Sequence, residues 1–200
     1  SDRSGSRDVF LKNLIDGKEE AVVSNKFTKV TTQWSRDGKF VVYTQMEPGT
    51  NRDIWVLPMD GLKAGQPVAY LRTKANEFLG QLSPDSRWMA YTSDESGRRE
   101  VYVREFPSGK SAINISTAGG EAPRWSADGR ELFFIGADGK MNVMAVKSAG
   151  AVFEPGTAVP LFSANWVRPP NEPLLDYDVS ADGKRFVVTT AAPDSISAAL

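Results

Sequence analysis

The chain has no cysteine and no histidine. The first absence excludes disulfides, thiolate nucleophiles and cysteine-built zinc sites, and it leaves the redox compartment unread. The second removes the commonest general base, the usual imidazole ligand of transition metals and any Ser-His-Asp triad. Acid–base work would fall to carboxylates, Lys or Tyr. Charge of one sign is lacking too: 24 Lys and Arg against 25 Asp and Glu leave a net charge of -1 over 200 residues. That balance provides no broad electrostatic footprint for nucleic acid or an anionic membrane surface. No apolar run approaches bilayer-spanning length, and the opening SDRSGSRD is polar rather than signal-like. The expectation is no catalytic residue, no metal, no cofactor, no nucleic-acid partner and no membrane span in this segment.

What the chain does contain is a repeat. WSRDGKFVVYTQ from Trp34, LSPDSRWMAYTS from Leu82, WSADGRELFFIG from Trp125 and VSADGKRFVVTT from Val179 align in one register. Their serines, Ser35, Ser83, Ser126 and Ser180, lie about 43 to 54 residues apart, near the length of a four-stranded propeller blade. Each unit reads as strand, tight turn, strand, loop, strand, loop, strand. In the turns Asp37-Gly38, Asp128-Gly129 and Asp182-Gly183, glycine accepts positive φ and the aspartate can bond nearby backbone. Asp85-Ser86 is the weaker copy. Second strands follow at Phe40, Trp88, Leu132 and Phe186, rich in β-branched and aromatic residues. Third strands follow at Asp53, Glu100 and Met141, with an earlier copy at Asp8. Fourth strands are expected at residues 67–73, 111–117 and 159–163, where an edge tolerates Pro67 and Pro160.

The fold class is therefore all-β, a β-propeller of four-stranded antiparallel blades with three complete blades and two half blades. It forms a single propeller region over 1–200: a half blade and lead-in at 1–33, blades at 34–81, 82–124 and 125–178, the last with a Pro-rich insertion, and a half blade at 179–200. Both ends read as truncated, which favours part of a larger propeller; a closed four-bladed ring is the alternative.

On WSRDGK, LSPDSR, WSADGR and VSADGK, each followed by a hydrophobic strand and then a DIWV- or EVYV-like strand, the chain resembles the WD-like repeat of TolB-type propellers. The run MNVMAVKSAG, the Pro-rich stretch and LLDYDVSADGKRFVVTT resemble the last blades of propellers attached to bacterial serine/threonine protein kinases. The resemblance implies a non-catalytic sensor or scaffold module of a larger bacterial protein, with a periplasmic or extracytoplasmic location. It leaves open a substrate-gating propeller of a prolyl-oligopeptidase-like peptidase, or a periplasmic TolB-like docking protein. No kinase chemistry lies on this chain, because an HRD loop cannot be written without histidine. Gly109-Lys110-Ser111 lacks the upstream glycine of a P-loop, whose place Arg104 takes. No G-x-S-x-G nucleophile elbow is present.

Trp34, Trp55, Trp88 and Trp125 are expected in the core, since blades bury both faces. The Asp-Gly aspartates need no metal to explain them, because no D-x-D-x-D-G run occurs. The residue before each signature is polar in all four copies, Gln33, Gln81, Arg124 and Asp178; on the innermost strand these either line the channel or hydrogen-bond between blades. Loops joining second to third strands, and fourth to next first strands, share one face. There Arg52, Arg99, Glu121 and Arg124 gather with Trp166, Arg168, Asn171 and Glu172 of the Pro-rich insertion, which serves either recognition or spacing. The expected partner is a protein or peptide, or a small ligand at the channel mouth.

Overall fold

The structure, a computed structural model, describes residues 6–149, 152–166 and 177–190. Every element in it is a β-strand, and every pairing is antiparallel between strands close in sequence. Strands β1 (Val9–Lys12) and β2 (Glu19–Val23) form a two-stranded sheet. In the first full blade β3 (Thr28–Trp34), β4 (Phe40–Glu47) and β5 (Asn51–Asp60) pair in order. A short β6 (Lys63–Ala64) folds back on the end of β5, and β7 (Val68–Leu71) pairs along its outer side. The second blade is β8 (Glu77–Leu82), β9 (Trp88–Ser93), β10 (Glu100–Glu105) and β11 (Ile113–Asn114). The third is β12 (Gly120–Trp125), β13 (Glu131–Gly136), β14 (Lys140–Ala149) and β15 (Val152–Ser163). Strands β16 (Tyr177–Val179) and β17 (Phe186–Val188) close the described chain as a last two-stranded sheet.

This is the expected series of three blades between two half blades, the first blade carrying the two-residue β6 in addition to its four strands. The sheets begin about six residues before each signature, because the innermost strand runs into the signature rather than out of it. One expectation changes in detail. The residues from Lys147 up to the expected fourth strand at 159–163, read as part of a Pro-rich insertion, are largely strand too, paired in the hairpin of β14 and β15. Pro155 and Pro160 lie on β15, the outer edge strand, beside the two register irregularities of its pairing with β14, where proline is tolerated.

The signature builds the turn between first and second strands. The Ser35 hydroxyl donates to Asp37 Oδ1 at 2.7 Å and accepts the Phe40 N–H at 2.9 Å, while Ser35 N–H donates to the Phe40 carbonyl. Ser83, Ser126 and Ser180 repeat the arrangement with Asp85, Asp128 and Asp182. The serine hydroxyl is the chief reason the carboxyls of Asp37, Asp128 and Asp182 titrate below the ordinary aspartate value. Gly38, Gly129 and Gly183 take φ of 70–72°, and Ser86 in the weaker copy is held at 54°.

Blades pack face to face, so each boundary carries its own apolar layer. Val42, Ile54 and Val56 of the first blade meet Leu82, Met89 and Tyr91 of the second. Trp88, Val101 and Val103 of the second meet Trp125, Leu132 and Phe134 of the third. Gly80 lets the first and second blades close: a Cβ there would lie 3.1 Å from Val42 Cγ1 and 3.2 Å from Ile54 Cγ2.

The four core tryptophans divide. Trp88 and Trp125 are buried, and the Trp125 indole N–H donates to the Gln81 carbonyl of the preceding blade at 3.0 Å. Trp34 is 45% exposed and its indole bonds its own turn, at Gly38 O. Among the described residues the sheet before it holds only β1 and β2, whereas the blade before Trp125 presents the Gln81 carbonyl on its innermost strand. Trp125→Ala is therefore expected to cost about 3–5 kcal/mol in urea unfolding and Trp34→Ala about 1 kcal/mol; equal losses would contradict the division. Ser86 offers a stabilising test, because its buried hydroxyl oxygen lacks a hydrogen-bond partner and its φ suits glycine. Ser86→Gly is expected to gain about 1 kcal/mol, read as a higher melting temperature.

Candidate functional site

Antiparallel pairing brings the starts of the first and third strands of each blade to one face. There the repeat carries a motif: Arg7-Asp8, Arg52-Asp53 and Arg99-Glu100 open three successive third strands. The acid turns inward in every copy, and Asp8, Asp53 and Glu100 have side chains or whole residues all but removed from solvent. The preceding arginine turns to the face. Arg7 went unnoticed in the sequence reading, although aligning the third strands by their acids would have shown it.

Two of these arginines meet on one aromatic ring. The guanidinium carbon of Arg52 lies 5.7 Å from the centroid of Phe78, and that of Arg99 lies 5.5 Å from it. Phe78 sits on β8, itself buried, between the blade of Arg52 and the loop of Arg99. Arg99 also donates to Glu121 Oε2 at 2.8 Å, at the start of the third blade. Burial, and after it the positive charge of Arg99, lowers the pKa of Arg52. The structure thus brings Arg52, Arg99 and Glu121 together across three blades around Phe78, a residue that the repeat pattern did not single out. Two hollows flank the group: one of about 260 Å³ against Arg99, Glu121 and Ile135, and one of about 540 Å³ against Met46, Asn51 and Arg52.

Arg124 does not join this group. It lies on β12 with its Nε 3.9 Å from Asp178 Oδ1 on β16, so these two predicted residues face each other across a blade boundary. Gln33 accepts the Leu82 N–H at 2.6 Å and donates to the Leu82 carbonyl at 3.2 Å. Gln81 returns a bond to the Thr32 carbonyl at 3.0 Å. All four polar residues ahead of the signatures therefore reach a neighbouring innermost strand. Tyr177 does the same with its hydroxyl on Ala122 O at 2.7 Å, and complete burial raises its pKa. Side chains substitute here for ladder bonds, which innermost strands of separate sheets cannot make with one another.

Trp166 donates its indole N–H to the Gly139 carbonyl at 2.7 Å and lies against Phe162 and Tyr177, beside the loop joining β13 and β14. Arg168, Asn171 and Glu172 fall outside the described residues. Among the described residues no group of three His, Cys, Asp or Glu side chains is arranged to hold a metal ion. No helix among them is long and apolar enough to cross a membrane.

Radially ordered four-stranded sheets, joined in sequence and sealed at their inner strands by cross-blade bonds, define a β-propeller. More narrowly, the chain matches the TolB beta propeller domain over residues 1–195 and belongs to that family. Among solved structures it is similar to TolB from Acinetobacter baumannii, with a TM-score of 0.66 and 16% identity over 94% of this chain and 44% of that one. It is also similar to a putative TolB from Agrobacterium tumefaciens, with a TM-score of 0.61 and 20% identity over 79% of this chain and 59% of that one. A puromycin-hydrolyzing peptidase from Mycobacterium tuberculosis gives a TM-score of 0.63 and 18% identity over 89% of this chain and 31% of that one. The chain thus spans between about a third and three fifths of the structures it matches. Comparison with curated proteins found no match.

Proposed function

We propose that the chain is a non-catalytic docking module whose arginine-bearing face receives a carboxylate-rich segment of a protein or peptide partner. The observation that carries this reading is the Arg52–Phe78–Arg99 group, with Arg7 continuing the series one blade earlier. A guanidinium held against an aromatic ring is ordered before any partner arrives, so less side-chain entropy is lost on binding, and its planar fork suits carboxylates. The net charge of -1 makes such recognition local, set by the rim rather than by the whole surface. Arg124 and Asp178, at the inner strands, form the candidate channel part of the same module.

The chain is proposed to act within a larger extracytoplasmic protein. A receptor-like kinase is proposed as that protein on the resemblance of the sequence motifs of the chain's last two repeat copies alone. Similarity in fold to the peptidase supports a second reading, in which the same rim sorts peptides for a hydrolase domain carried elsewhere.

The test is binding of fluorescent glutamate-rich and lysine-rich peptides, followed by anisotropy at low and high salt. The glutamate-rich peptide is expected to bind selectively and to lose at least about tenfold in affinity with Arg52→Glu plus Arg99→Glu. Arg130→Glu, in a signature turn at the opposite end of its strands, is expected to leave binding unchanged. Equal binding of both peptides, or indifference to the double reversal, would overturn the reading.

A further inference from the structure

The acids that follow those arginines sit at three equivalent blade boundaries, and two of the three are neutralised. Asp8 accepts the Lys29 ammonium at 2.8 Å and the Ser24 hydroxyl at 2.9 Å, and Lys29 opens the first strand of the next blade. Glu100 accepts the Arg98 Nε–H and the Ser116 hydroxyl, each at 2.6 Å, and the Gly119 N–H at 2.9 Å. At the boundary between the first and second blades, Asp53 accepts the Thr50 hydroxyl at 2.6 Å on Oδ2, while its buried Oδ1 has no hydrogen-bond partner. The residue in the Lys29 position there is Glu77: Lys29 pairs with Gln45 across its sheet as Glu77 pairs with Ser93, and Gln45 faces Asp53 as Ser93 faces Glu100. Glu77 accepts the Thr73 hydroxyl on Oε1, and its buried Oε2 has no hydrogen-bond partner. Asp53 is 0% and Glu77 1% exposed. Where one boundary pairs a buried Asp with a buried Lys, this one buries an Asp and a Glu at the same two positions.

The charged groups around the pair do not supply the missing cation. Arg72 is bound to Glu47 of β4 at 2.7 Å. Arg104 of β10 donates to Tyr91 at 2.8 Å and lies 3.9 Å from Glu95. Asp94 takes two bonds from Asn76, Arg52 lies on Phe78, and Tyr43 faces Glu47. Glu47 and Glu95 add negative charge, and Arg72 offsets part of it at Asp53.

We propose that Asp53 and Glu77 form a proton-operated latch between the first and second blades. One proton shared by the two carboxyls leaves the buried pair with a single negative charge, and its loss to water sets two like charges against each other inside the boundary. Burial, and then the neighbouring Asp53, raise the Glu77 carboxyl from 4.5 to about 7, and burial raises Asp53 in the same direction. The folded state therefore holds a proton that the unfolded chain releases. The latch's contribution is complete below the unfolded value of 4.5 and is lost as pH rises through about 7. Because Asp53 follows Arg52 and Glu77 precedes Phe78, loosening occurs directly beneath the aromatic–arginine group.

The test is the melting temperature of the chain from about pH 5.5 to about pH 8.5, alone and with calcium chloride, for the natural protein, Glu77→Gln and Glu77→Lys. The natural protein is expected to lose several degrees across neutral pH. Both variants are expected to lack that fall and to melt about 3 °C or more above it at the alkaline end, Glu77→Lys by restoring the Asp8–Lys29 type of pair. Profiles that run parallel in all three would overturn the latch. So would calcium raising the natural protein's melting temperature at alkaline pH but not that of Glu77→Gln, which would make the site a cation site. Should the variants fail to fold, the infrared carbonyl stretch of a protonated carboxylic acid decides in the natural protein. Its presence near neutral pH and loss at alkaline pH supports the latch, and its absence at neutral pH overturns it.

Discussion

Face-to-face stacking of blades is the constraint from which the rest follows. A sheet covered on both sides has no wet face, so its polar groups can be satisfied only at its ends or by the neighbouring blade. The apolar residues of each boundary supply the attraction between sheets. The polar residues decide which sheet may sit beside which, and at what height. Gln33 and Gln81 exchange bonds with the backbone of each other's blade, and a one-residue slip in either innermost strand would leave those groups buried and unpaired.

The same constraint explains why a short signature recurs while its surroundings vary. The Ser-x-Asp-Gly turn closes on itself, with the serine hydroxyl bonding both the aspartate and the N–H that opens the second strand. It makes few demands on neighbouring blades and can be copied unchanged. The opposite end of the strands has no such self-contained device. Its buried acids are met by Lys29 at one boundary and by Arg98 and the Gly119 amide at another, while at the third a hydroxyl reaches only one oxygen of each of two acids. Chemical variety therefore collects on the face that carries Arg7, Arg52 and Arg99.

Much of the fold was legible because propeller blades are local. Strand, turn and strand follow one another with period-two patterning and Asp-Gly turns, and three blades between two half blades emerge from residue order alone. Where the reading fell short, the cause was non-local. Trp34 carries the same signature as Trp125, yet one indole is half open and the other covered, because coverage depends on what the preceding sheet offers. The stretch from Lys147 up to the expected fourth strand at 159–163 read as loop because proline weakens a strand pattern, and only pairing with β14 shows that Pro155 lies on the same outer edge as Pro160.

For the site, residue type and repeat position were enough to select Arg52, Arg99 and Glu121 as neighbours on one rim, since loops of equivalent rank must share a face. They were also enough to mark Gln33, Gln81, Arg124 and Asp178 as a set. Distance was beyond reach of the sequence. That Arg52 and Arg99 share the Phe78 ring and that Arg124 turns to Asp178 instead of the rim both depend on how blades are stacked. The sequence by itself determined the blade, its turns and its polar ends, because those are built from residues adjacent along the chain. Only the tertiary structure decided which charges meet across blades, because Lys29 with Asp8, Arg99 with Glu121 and Arg124 with Asp178 join residues about 20 to 55 positions apart across a boundary that no local pattern describes.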